Sequence, residues 1–453
     1  MIHDNIKDQI CDNNKRDEVA SMQMEFLQLQ QYLNVHPIIK KNDSLKKRYV
    51  ALINYFIEKQ SGSDLWGKQT YKLYCDKIVG QEKNIEKTKE KDLSIFERLK
   101  FSKYRYFLLT DCLFIACFKD KKKGQEILDS MVEFYGEKYR KKLERFYQAF
   151  YSAEDKGFLH NFAEMKKIYT IIWNNRLFMA SPMKKIMITA NMSAGKSTLI
   201  NALAGKKINK TQNDACTAKL HYLYNKAGED GLSYEFDHDL ELNASLDLLM
   251  TDNEKNDSKE IAVGTRLRSI TEIRKHICFI DTPGVNSVMN KEHREISNAA
   301  IKAADYDVLL YLFNAENIGS DDDIRHLKFV KENYSGEIIF LVNRLDHYKK
   351  DVDSVKGTLE AVENDLKKIG FKMPKVYPIS AYAGYLGKMA LYNEELSEDE
   401  KDDLDFVKRK LQREDFSYEK YYPVEIQTES NDKELGELLL HSGILSLEKI
   451  IYQ

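Results

Sequence analysis

The sequence contains few of the residues that interrupt or cross-link a chain. Its 453 residues include only 6 prolines and 20 glycines, which argues against a fibrous or proline-rich protein and favours long helices. The 6 cysteines form no C-x-x-C pair, which argues against a disulfide scaffold or a zinc ribbon and is typical of a reducing cytoplasm. The 10 histidines show neither H-x-x-x-H nor H-x-x-H spacing, so no common zinc motif is present.

Long hydrophobic runs are also missing. The longest mainly apolar run, Tyr106–Phe118, has 13 residues and contains Asp111, whereas about 20 residues are needed to cross a bilayer. Neither end carries a signal peptide, a myristoylation site or a prenylation box. We therefore expect a cytoplasmic protein that can bind peripherally at the inner face of a membrane.

Charge divides the chain into two parts. Residues 1–182 carry 33 Lys+Arg and 25 Asp+Glu, a net charge of +8. Subtraction from the totals of 70 and 72 leaves 37 and 47 for residues 183–453, a net charge of -10. The opposite net charges of these two segments predict two domains that have different partners or that attract each other.

The apolar residues of 1–182 are spaced as in a helical bundle, and the net charge of this segment makes the bundle basic. Tyr49, Ile53 and Phe56 fall on one helix face after an expected cap at Asp43 or Ser44. Similar apolar stripes or segments occur at Met22, Phe26, Leu29 and Leu33, at Phe101–Phe118 and at Ile127–Tyr151. Asp111 is expected to be a paired polar residue of the core. The lysines of Lys119–Lys123 are expected either at a solvated helix C-terminus or in contact with anionic lipid or nucleic acid.

From residue 183 the residue pattern changes to one that predicts alternating strands and helices. This alternation predicts an α/β fold, a mainly parallel sheet covered by helices on both faces, in which ligands bind at the carboxyl ends of strands. Amphipathic helices are expected at Lys291–Ala304 and Val352–Ile369, and Ser320–Asp323 is typical of a helix N-terminus. The expected strands are Ile186–Ala190, Leu220–Tyr224, His276–Ile280, Val308–Phe313, Ile338–Val342 and Val376–Ile379.

A phosphate-binding loop follows the first of these strands. In Ala190-Asn-Met-Ser-Ala-Gly-Lys-Ser197 the backbone N–H groups can form an anion nest at the start of a helix. Lys196 would reach the β- and γ-phosphates, and the Ser197 hydroxyl would ligate Mg²⁺. Ala190 replaces the usual first glycine. The predicted phosphate contacts are Asn191, Met192, Ser193, Ala194, Gly195, Lys196, Ser197 and Thr198.

Two further loops supply the remaining metal and γ-phosphate contacts. Asp281-Thr-Pro-Gly284 ends a strand, so Asp281 can hold Mg²⁺ through a water and the Gly284 N–H can touch the γ-phosphate. Thr217 is the best candidate for a mobile-loop threonine that closes on Mg²⁺.

The base is expected to be guanine. Asp346, in Asn343-Arg344-Leu-Asp346, can accept two hydrogen bonds from guanine N1 and N2, which adenine cannot supply. Ser380-Ala381, after another strand, would place a backbone N–H on guanine O6.

These five elements resemble a P-loop GTPase, and more narrowly a dynamin-superfamily GTPase of the bacterial dynamin-like type. The resemblance rests on Ser193-Ala-Gly-Lys-Ser-Thr-Leu-Ile-Asn-Ala-Leu and on Asn343-Arg-Leu-Asp346, which is similar to the mitofusin form of the base-reading motif. It implies a GTPase domain over 183–453 with a helical insertion at about 382–422. Residues 1–182 would then be part of a stalk or neck bundle.

The resemblance also implies a mechanism. Ser193, Lys196, Thr217 and Gly284 would be the catalytic residues, and Ser193 would help bind a K⁺ or Na⁺ ion at the phosphate loop. Met192 stands where eukaryotic dynamins carry a glutamine that orients water, and Val285 stands where small GTPases place their catalytic glutamine. Water would then be positioned through a GTPase-domain dimer across the nucleotide.

Three functional hypotheses follow. The first is a dynamin-like enzyme that binds GTP or GDP with Mg²⁺, hydrolyses GTP, dimerises and couples to helical-domain movement at an anionic membrane surface, with no nucleic acid. The second is a slow or non-hydrolysing GTP-binding switch that pairs with another dynamin-like chain, and the third an Era-like ribosome-assembly GTPase. Because the sequence ends at Gln453, with the segment expected to be the domain's last helix, we expect a piece of a longer protein or a short member that acts with a partner chain.

Overall fold

A computed structural model gives two compact units, which divide between Ser181 and Pro182. Each unit is considered by itself. Together they describe residues 33–34, 36–58, 65–80, 99–118, 120–152, 157–191, 193–208, 219–229, 231–236, 240–241, 243–249, 260–269, 275–283, 291–349, 352–427, 430 and 432–453.

The first unit is helical over its described residues. Its helices enclose one aromatic-rich core, in which Tyr49, Ile53 and Phe56 are almost completely buried, as their spacing predicts. The helices are α1 Asp43–Glu58, α2 Leu65–Val79, α3 Arg105–Ala116, α4 Lys121–Tyr135, α5 Arg140–Tyr151 and α6 Ala163–Ala180.

Two local expectations in this unit need correction. The cap of α1 is Asn42 rather than Asp43 or Ser44, because the Asn42 side chain accepts a hydrogen bond from the Leu45 N–H at 2.9 Å. The apolar segment Ile127–Tyr151 is two helices, since Gly136 has a φ of 102° and ends α4. Glycine adopts this left-handed conformation without the steric cost that a side chain would add.

Asp111 is a paired core residue, as predicted. It is fully buried on α3, and it accepts hydrogen bonds from the hydroxyl of Tyr49 on α1 and, at 3.0 Å, from that of Tyr74 on α2. Burial, followed by the nearby Asp111 charge, raises the pKa of both tyrosines, so both hydroxyls remain protonated donors. Asp111 therefore joins three helices of the unit.

The lysines of the basic segment lie at the opposite helix end from the one expected. Asp120 caps α4 by accepting a hydrogen bond from the Lys123 N–H at 3.0 Å, so Lys121, Lys122 and Lys123 form the first turn of that helix. Lys119 lies outside the described residues. Cations at a helix N-terminus oppose the helix dipole, so the expectation of a dipole-stabilised C-terminus is wrong.

The second unit is built on a mixed sheet. Within the described residues it has nine strands in the order β4-β3-β5-β2-β6-β1-β7-β8-β9. The pairs from β6 through β1, β7 and β8 to β9 are parallel, whereas β2 pairs with β6 antiparallel. The strands are β1 Lys184–Ala190, β2 Leu220–Asn225, β3 Tyr234–Phe236, β4 Leu240–Glu241, β5 Glu260–Thr265, β6 Ile277–Asp281, β7 Val308–Asn314, β8 Glu337–Asn343 and β9 Lys375–Ile379.

All six predicted strands are present, and β3, β4 and β5 are additional. Every residue of β7 is buried, as expected of a central parallel strand that is covered on both faces. The helices that accompany the sheet are α7 Lys196–Ala204, α8 Lys291–Ala303, α9 Asp321–Asn333, α10 Val355–Ile369, α11 Ala381–Leu391, α12 Glu398–Leu411, α13 Lys433–His441 and α14 Ile444–Tyr452.

Strand register brings the predicted loops to one edge of this sheet. Asp281 at the end of β6 pairs with Ile188 of β1, two residues before Ala190. Asn343 at the end of β8 pairs with Asn314 of β7 and with Ile379 of β9. Because these strands are parallel, the segments that follow them leave the sheet on the same side.

Candidate functional site

The phosphate loop lies between β1 and α7. Ser193 and Gly195 both have left-handed backbone conformations, with φ of 60° and 92°, and Lys196, Ser197 and Thr198 form the first turn of α7. Alternating left-handed and helical residues turn successive N–H groups inward, and a helix N-terminus adds a positive partial charge. The loop therefore has the geometry of an anion site.

Gly195 is required here for two reasons. Its positive φ disfavours a side chain, and a Cβ atom at this position would lie 2.5 Å from Nδ2 of Asn343. The second contact is one that the loop sequence does not reveal, since Asn343 follows a different strand. Glycine thus lets the phosphate loop and the predicted base-reading loop touch.

Asn343 connects three of the predicted site loops. Its Nδ2 donates to the carbonyl oxygen of Ala194 at 2.8 Å, and its Oδ1 accepts from the N–H of Ala381 at 3.0 Å. The side chain is buried, so both bonds are shielded from water. Asn343 therefore fixes the distance between the predicted phosphate and base contacts.

The predicted contact of Ser380-Ala381 with guanine O6 is not preformed. The Ala381 N–H is bonded to Asn343, and the Ser380 N–H donates to the carbonyl oxygen of Ser442 at 2.9 Å. The Ser380 hydroxyl accepts from the Ala383 N–H and caps α11. These two N–H groups already have partners, so a bond to guanine O6 would have to be shared or would need a local change.

Asp346 lies beside α12, in a loop whose flanking side chains are charged or ionisable. Its carboxylate is buried, and its Oδ2 is 3.7 Å from Nε2 of His347. Glu316, which follows β7, holds the flanking residues of this loop, with Oε1 2.9 Å from His347 Nδ1 and Oε2 3.4 Å from Arg344 Nη1. Arg344 has a φ of 68°, which is uncommon for a residue with a side chain.

Glu316 carries no signal in the sequence, because no motif marks it and it lies 28 residues before Arg344. The hydrogen bond to His347, followed by the neighbouring charges, lowers the pKa of Glu316. Its carboxylate is therefore ionised at neutral pH, and it can hold Arg344 in its left-handed conformation.

Replacing Glu316 with Gln is expected to speed the dissociation of GDP about threefold. The pair is partly exposed, and exposed ion pairs contribute up to about 1 kcal/mol. The measurement is the dissociation rate of a fluorescent GDP analogue by stopped flow. Glu332→Gln, an exposed substitution on α9, is the matched control, and equal rates in both variants would show that Glu316 does not hold the loop.

Helix α9 hydrogen-bonds to the phosphate loop and to the end of β1. Its N-terminus lies at Ser320, as predicted. The Asn191 amide donates to Oδ1 of Asp323, and Thr189 Oγ1 is 3.1 Å from Nε2 of His326. Burial, followed by the nearby Lys196 charge, lowers the pKa of His326 to about 4, so the imidazole is neutral at pH 7. Neither α9 contact is signalled by the sequence, because the partners are more than 130 residues apart.

The residues present at the predicted metal position fit Mg²⁺. Asp281, at the end of β6, is buried, and Ser197 is a half-buried hydroxyl in the first turn of α7. Hard oxygen ligands from one or two side chains, completed by phosphate oxygens and water, are what Mg²⁺ prefers. Thr217, Gly284, Met192 and Val285 lie outside the described residues. The described part of the chain contains no group of three or more His, Cys, Asp or Glu side chains placed to hold a metal ion.

A buried ion pair contacts the C-terminal end of α7, the helix that begins at the phosphate loop. Lys388 of α11 and Glu448 of α14 form a salt bridge with side-chain exposures of 0% and 2%. Lys388 Nζ also donates to the carbonyl oxygens of Leu203 at 3.3 Å and Arg268 at 2.7 Å, and Ser269 Oγ donates to Glu448 at 2.6 Å. The network therefore joins the C-terminal end of α7 to α11 and α14.

No helix in the described parts of the chain is both long enough and apolar enough to span a bilayer.

Residues 186–345 match the family model described as "Dynamin family". The segment includes the phosphate loop, Asp281 and Asn343. The resemblance that the motifs predict is thereby confirmed.

Two curated proteins are similar to parts of the chain. Dynamin-like protein A of Bacillus subtilis is 30% identical over 122 residues, which are 26% of this chain and 10% of that protein. A probable transmembrane GTPase of Arabidopsis thaliana, FZO-like and chloroplastic, is 22% identical over 209 residues, or 45% and 20% of the two lengths. The chain therefore spans a fifth or less of these relatives in the matched regions.

Two solved structures show partial likeness. An oligomerised bacterial dynamin pair, described as sensing and tethering membranes, is 17% identical, with a TM-score of 0.33, and the match covers 54% of this chain and 39% of that one. Era of Aquifex aeolicus bound to GDP·AlF4⁻ is 20% identical, with a TM-score of 0.28, over 48% and 59% of the chains. Likeness at these scores does not bear on function.

Proposed function

We propose that the chain binds GTP and GDP with Mg²⁺ and hydrolyses GTP, because residues 186–345 match the dynamin family. The observation that carries the proposal is Asn343, which bonds to both the phosphate loop and the Ser380-Ala381 loop. The proposed phosphate and base contacts would thus be held at a fixed distance from each other, as a nucleotide that spans both loops requires.

Each predicted side chain has a role in this proposal. Lys196 would balance the charge of the β- and γ-phosphates, and the N–H groups around Ser193 and Gly195 would bind phosphate oxygens. Ser197 and Asp281, with Thr217, would hold Mg²⁺, which bridges phosphate oxygens and offsets their charge when bound. Gly284 would contact the γ-phosphate. Asp346 would select guanine through its N1 and N2 hydrogens.

Water activation is expected to need a second chain. Met192 and Val285 carry apolar side chains at the positions where related GTPases orient water. We therefore infer a GTPase-domain dimer, with a K⁺ or Na⁺ ion near Ser193, or pairing with another dynamin-like chain. Coupling to the helical unit at an anionic membrane surface is part of the same proposal, supported by the exposed Lys121 and Lys122 of that unit.

The test is GTP turnover per protomer across a protein concentration series, in K⁺ and in Na⁺ buffers. We expect turnover to rise with concentration, to depend on the cation and to fall by about 10³-fold in Lys196→Ala, since one lost charge-stabilising contact at a phosphoryl-transfer site has an effect of about this size. Lys207→Ala is the matched control, a lysine outside the phosphate loop.

A slow or non-hydrolysing GTP-binding switch is the alternative, and Met192, whose apolar side chain cannot orient water, favours it. It predicts GTP binding with flat, near-zero turnover at every concentration. That result would overturn the self-activating enzyme while leaving nucleotide binding intact. Loss of GTP binding itself would overturn both.

A further inference from the structure

A cavity of about 230 Å³ lies behind the phosphate loop, between α9 and α10 and beside the end of β7. Its walls are mainly apolar. They are formed by Phe313 of β7, Ile324 and Leu327 of α9, and Val362, Leu366 and Ile369 of α10. Leu327, Val362 and Leu366 are buried and Ile324 and Ile369 are half-buried, so packed side chains of these helices form the walls of the cavity, whereas its rim at the exposed Asp365 and Lys368 is open to solvent.

The charges along the cavity wall do not cancel. Among the described residues that line it, the charged ones are Asp323, Asp365 and Lys368. Asp365 and Lys368 form an ion pair at 2.8 Å, which neutralises both at the rim. Asp323 is 5% exposed, and the groups that hydrogen-bond to its carboxylate, from Asn191, Gly319 and Ser320, are neutral. The wall therefore carries one net negative charge.

We propose that this cavity is a second ligand site, which binds an aromatic amine with a bicyclic ring system. An apolar cavity of about 150 Å³ accommodates benzene, so this larger one has room for two fused rings. The apolar walls favour a ring without polar substituents, and the Asp323 carboxylate favours a cationic nitrogen at one end. An anion of the same shape would be repelled.

The occupant would act on the phosphate loop through α9. Ile324 and Leu327 line the cavity, while Asp323 and His326 of the same helix contact Asn191 and Thr189. A ligand that displaces α9 must therefore change the support of the phosphate loop. This coupling rests on the proposed nucleotide binding, whereas occupation of the cavity does not.

Binding is tested on the full chain with tryptamine as the probe, by ligand-observed NMR. We expect a dissociation constant below about 1 mM, a range that small ligands of this size reach. Indole-3-propionate, which has the same rings and the opposite charge, is expected to bind at least about tenfold more weakly, which corresponds to about 1.4 kcal/mol. Equal binding of the two probes, or no binding of tryptamine, would overturn the proposal.

Cavity-filling variants test whether tryptamine binds in this cavity. Ile324→Trp and Ile369→Trp fill the cavity from α9 and α10 respectively and should each abolish tryptamine binding. Met373→Trp, at a position that is 88% exposed and outside the cavity wall, should leave it unchanged. Circular dichroism identifies a variant that fails to fold, and the other filling variant then decides the result. Undiminished binding to a folded filling variant would place the probe elsewhere and overturn the assignment.

A pH series and a nucleotide series give independent checks. Burial raises the pKa of Asp323 to about 6, so the carboxylate loses its charge as the pH falls through 6, and tryptamine binding should weaken between pH 7 and pH 5. Saturating GDP should change the tryptamine affinity at least about threefold, and tryptamine should change the GDP affinity by the same factor. Tryptamine binding without this reciprocity would overturn the coupling through α9. Failure of GDP to bind at all would instead count against the proposed function.

Discussion

Replacing Asp346 with Asn is expected to weaken GDP binding by about 10³-fold. The proposed role of this carboxylate is to accept hydrogen bonds from guanine N1 and N2, and a bond to a charged group contributes about 1.5–3 kcal/mol. Two such bonds amount to about 4 kcal/mol, and each 1.4 kcal/mol is a factor of ten in the dissociation constant. Since Asp346 is only 4% exposed, water is poorly placed to compensate for their loss.

The same substitution should reverse the base preference. Xanthine carries an oxygen where guanine carries its N2 amino group, and the Asn amide can donate to that oxygen. We therefore expect Asp346→Asn to bind xanthosine diphosphate more tightly than GDP, whereas the unmodified chain prefers GDP. Isothermal titration calorimetry with both nucleotides measures the reversal.

The control for this prediction is Asp399→Asn, which makes the same chemical change on the exposed surface of α12. Its affinity for both nucleotides should equal that of the unmodified chain. If Asp346→Asn also binds GDP within threefold of the unmodified chain, the base is bound by other residues and the assignment of this loop is wrong.

Replacing Lys388 with Met is expected to reduce the free energy of unfolding of the second unit by about 3–5 kcal/mol. Removing one partner of a buried ion pair leaves the other as an uncompensated charge in a medium of low polarity. Burial lowers the pKa of Lys388 and raises that of Glu448, so each group depends on the other to keep its charge. Met has a similar length but supplies no charge and no donor to the Leu203 and Arg268 carbonyls.

A second substitution separates charge from packing. In Lys388→Met/Glu448→Leu both charges are absent, and most of the lost stability should return, because apolar replacements of buried pairs are often neutral or stabilising. Lys375→Met is the matched control, since Lys375 and Glu337 form a salt bridge at 2.6 Å with exposures of 52% and 44%. It should cost about 1 kcal/mol or less.

Pulse proteolysis in urea is the suitable measurement for these variants. Both tryptophans of the chain, Trp66 and Trp173, belong to the helical unit, so intrinsic tryptophan fluorescence does not report the unfolding of the second unit. A loss in Lys388→Met no greater than that in Lys375→Met would mean that the buried pair contributes no more than a surface one.

The elements that the sequence revealed share a local signal. The six predicted strands are apolar runs of four to six residues, and the helices α8 and α10 show an apolar face with helical period. The phosphate loop is equally local, since its strand, turn and helix are consecutive. The strands that were missed lack such a signal, because β3 and β4 have 3 and 2 residues and β5 contains Gly264, a residue that strand patterns disfavour.

The connections within the site were decided by tertiary structure. Asn343 was predicted as a base-loop residue, yet its bond to Ala194 spans 149 positions and that of Asn191 to Asp323 spans 132. The local sequence pattern does not reveal such pairs, because each residue fits its own motif or helix cap whether or not the distant partner is present. The Glu316 contacts and the Lys388–Glu448 pair are of the same kind.

By itself, the sequence determined six of the nine described strands, the anion loop and the family resemblance, because backbone propensity and motif spacing act over a few residues. The fold decided which polar groups meet, since parallel strands bring distant loops to one sheet edge and burial makes each unpaired polar atom costly. For this reason the expected cap of α1 and the expected helix end of the lysines in α4 were wrong, while the fold class was correct and the resemblance to the dynamin family was confirmed over residues 186–345.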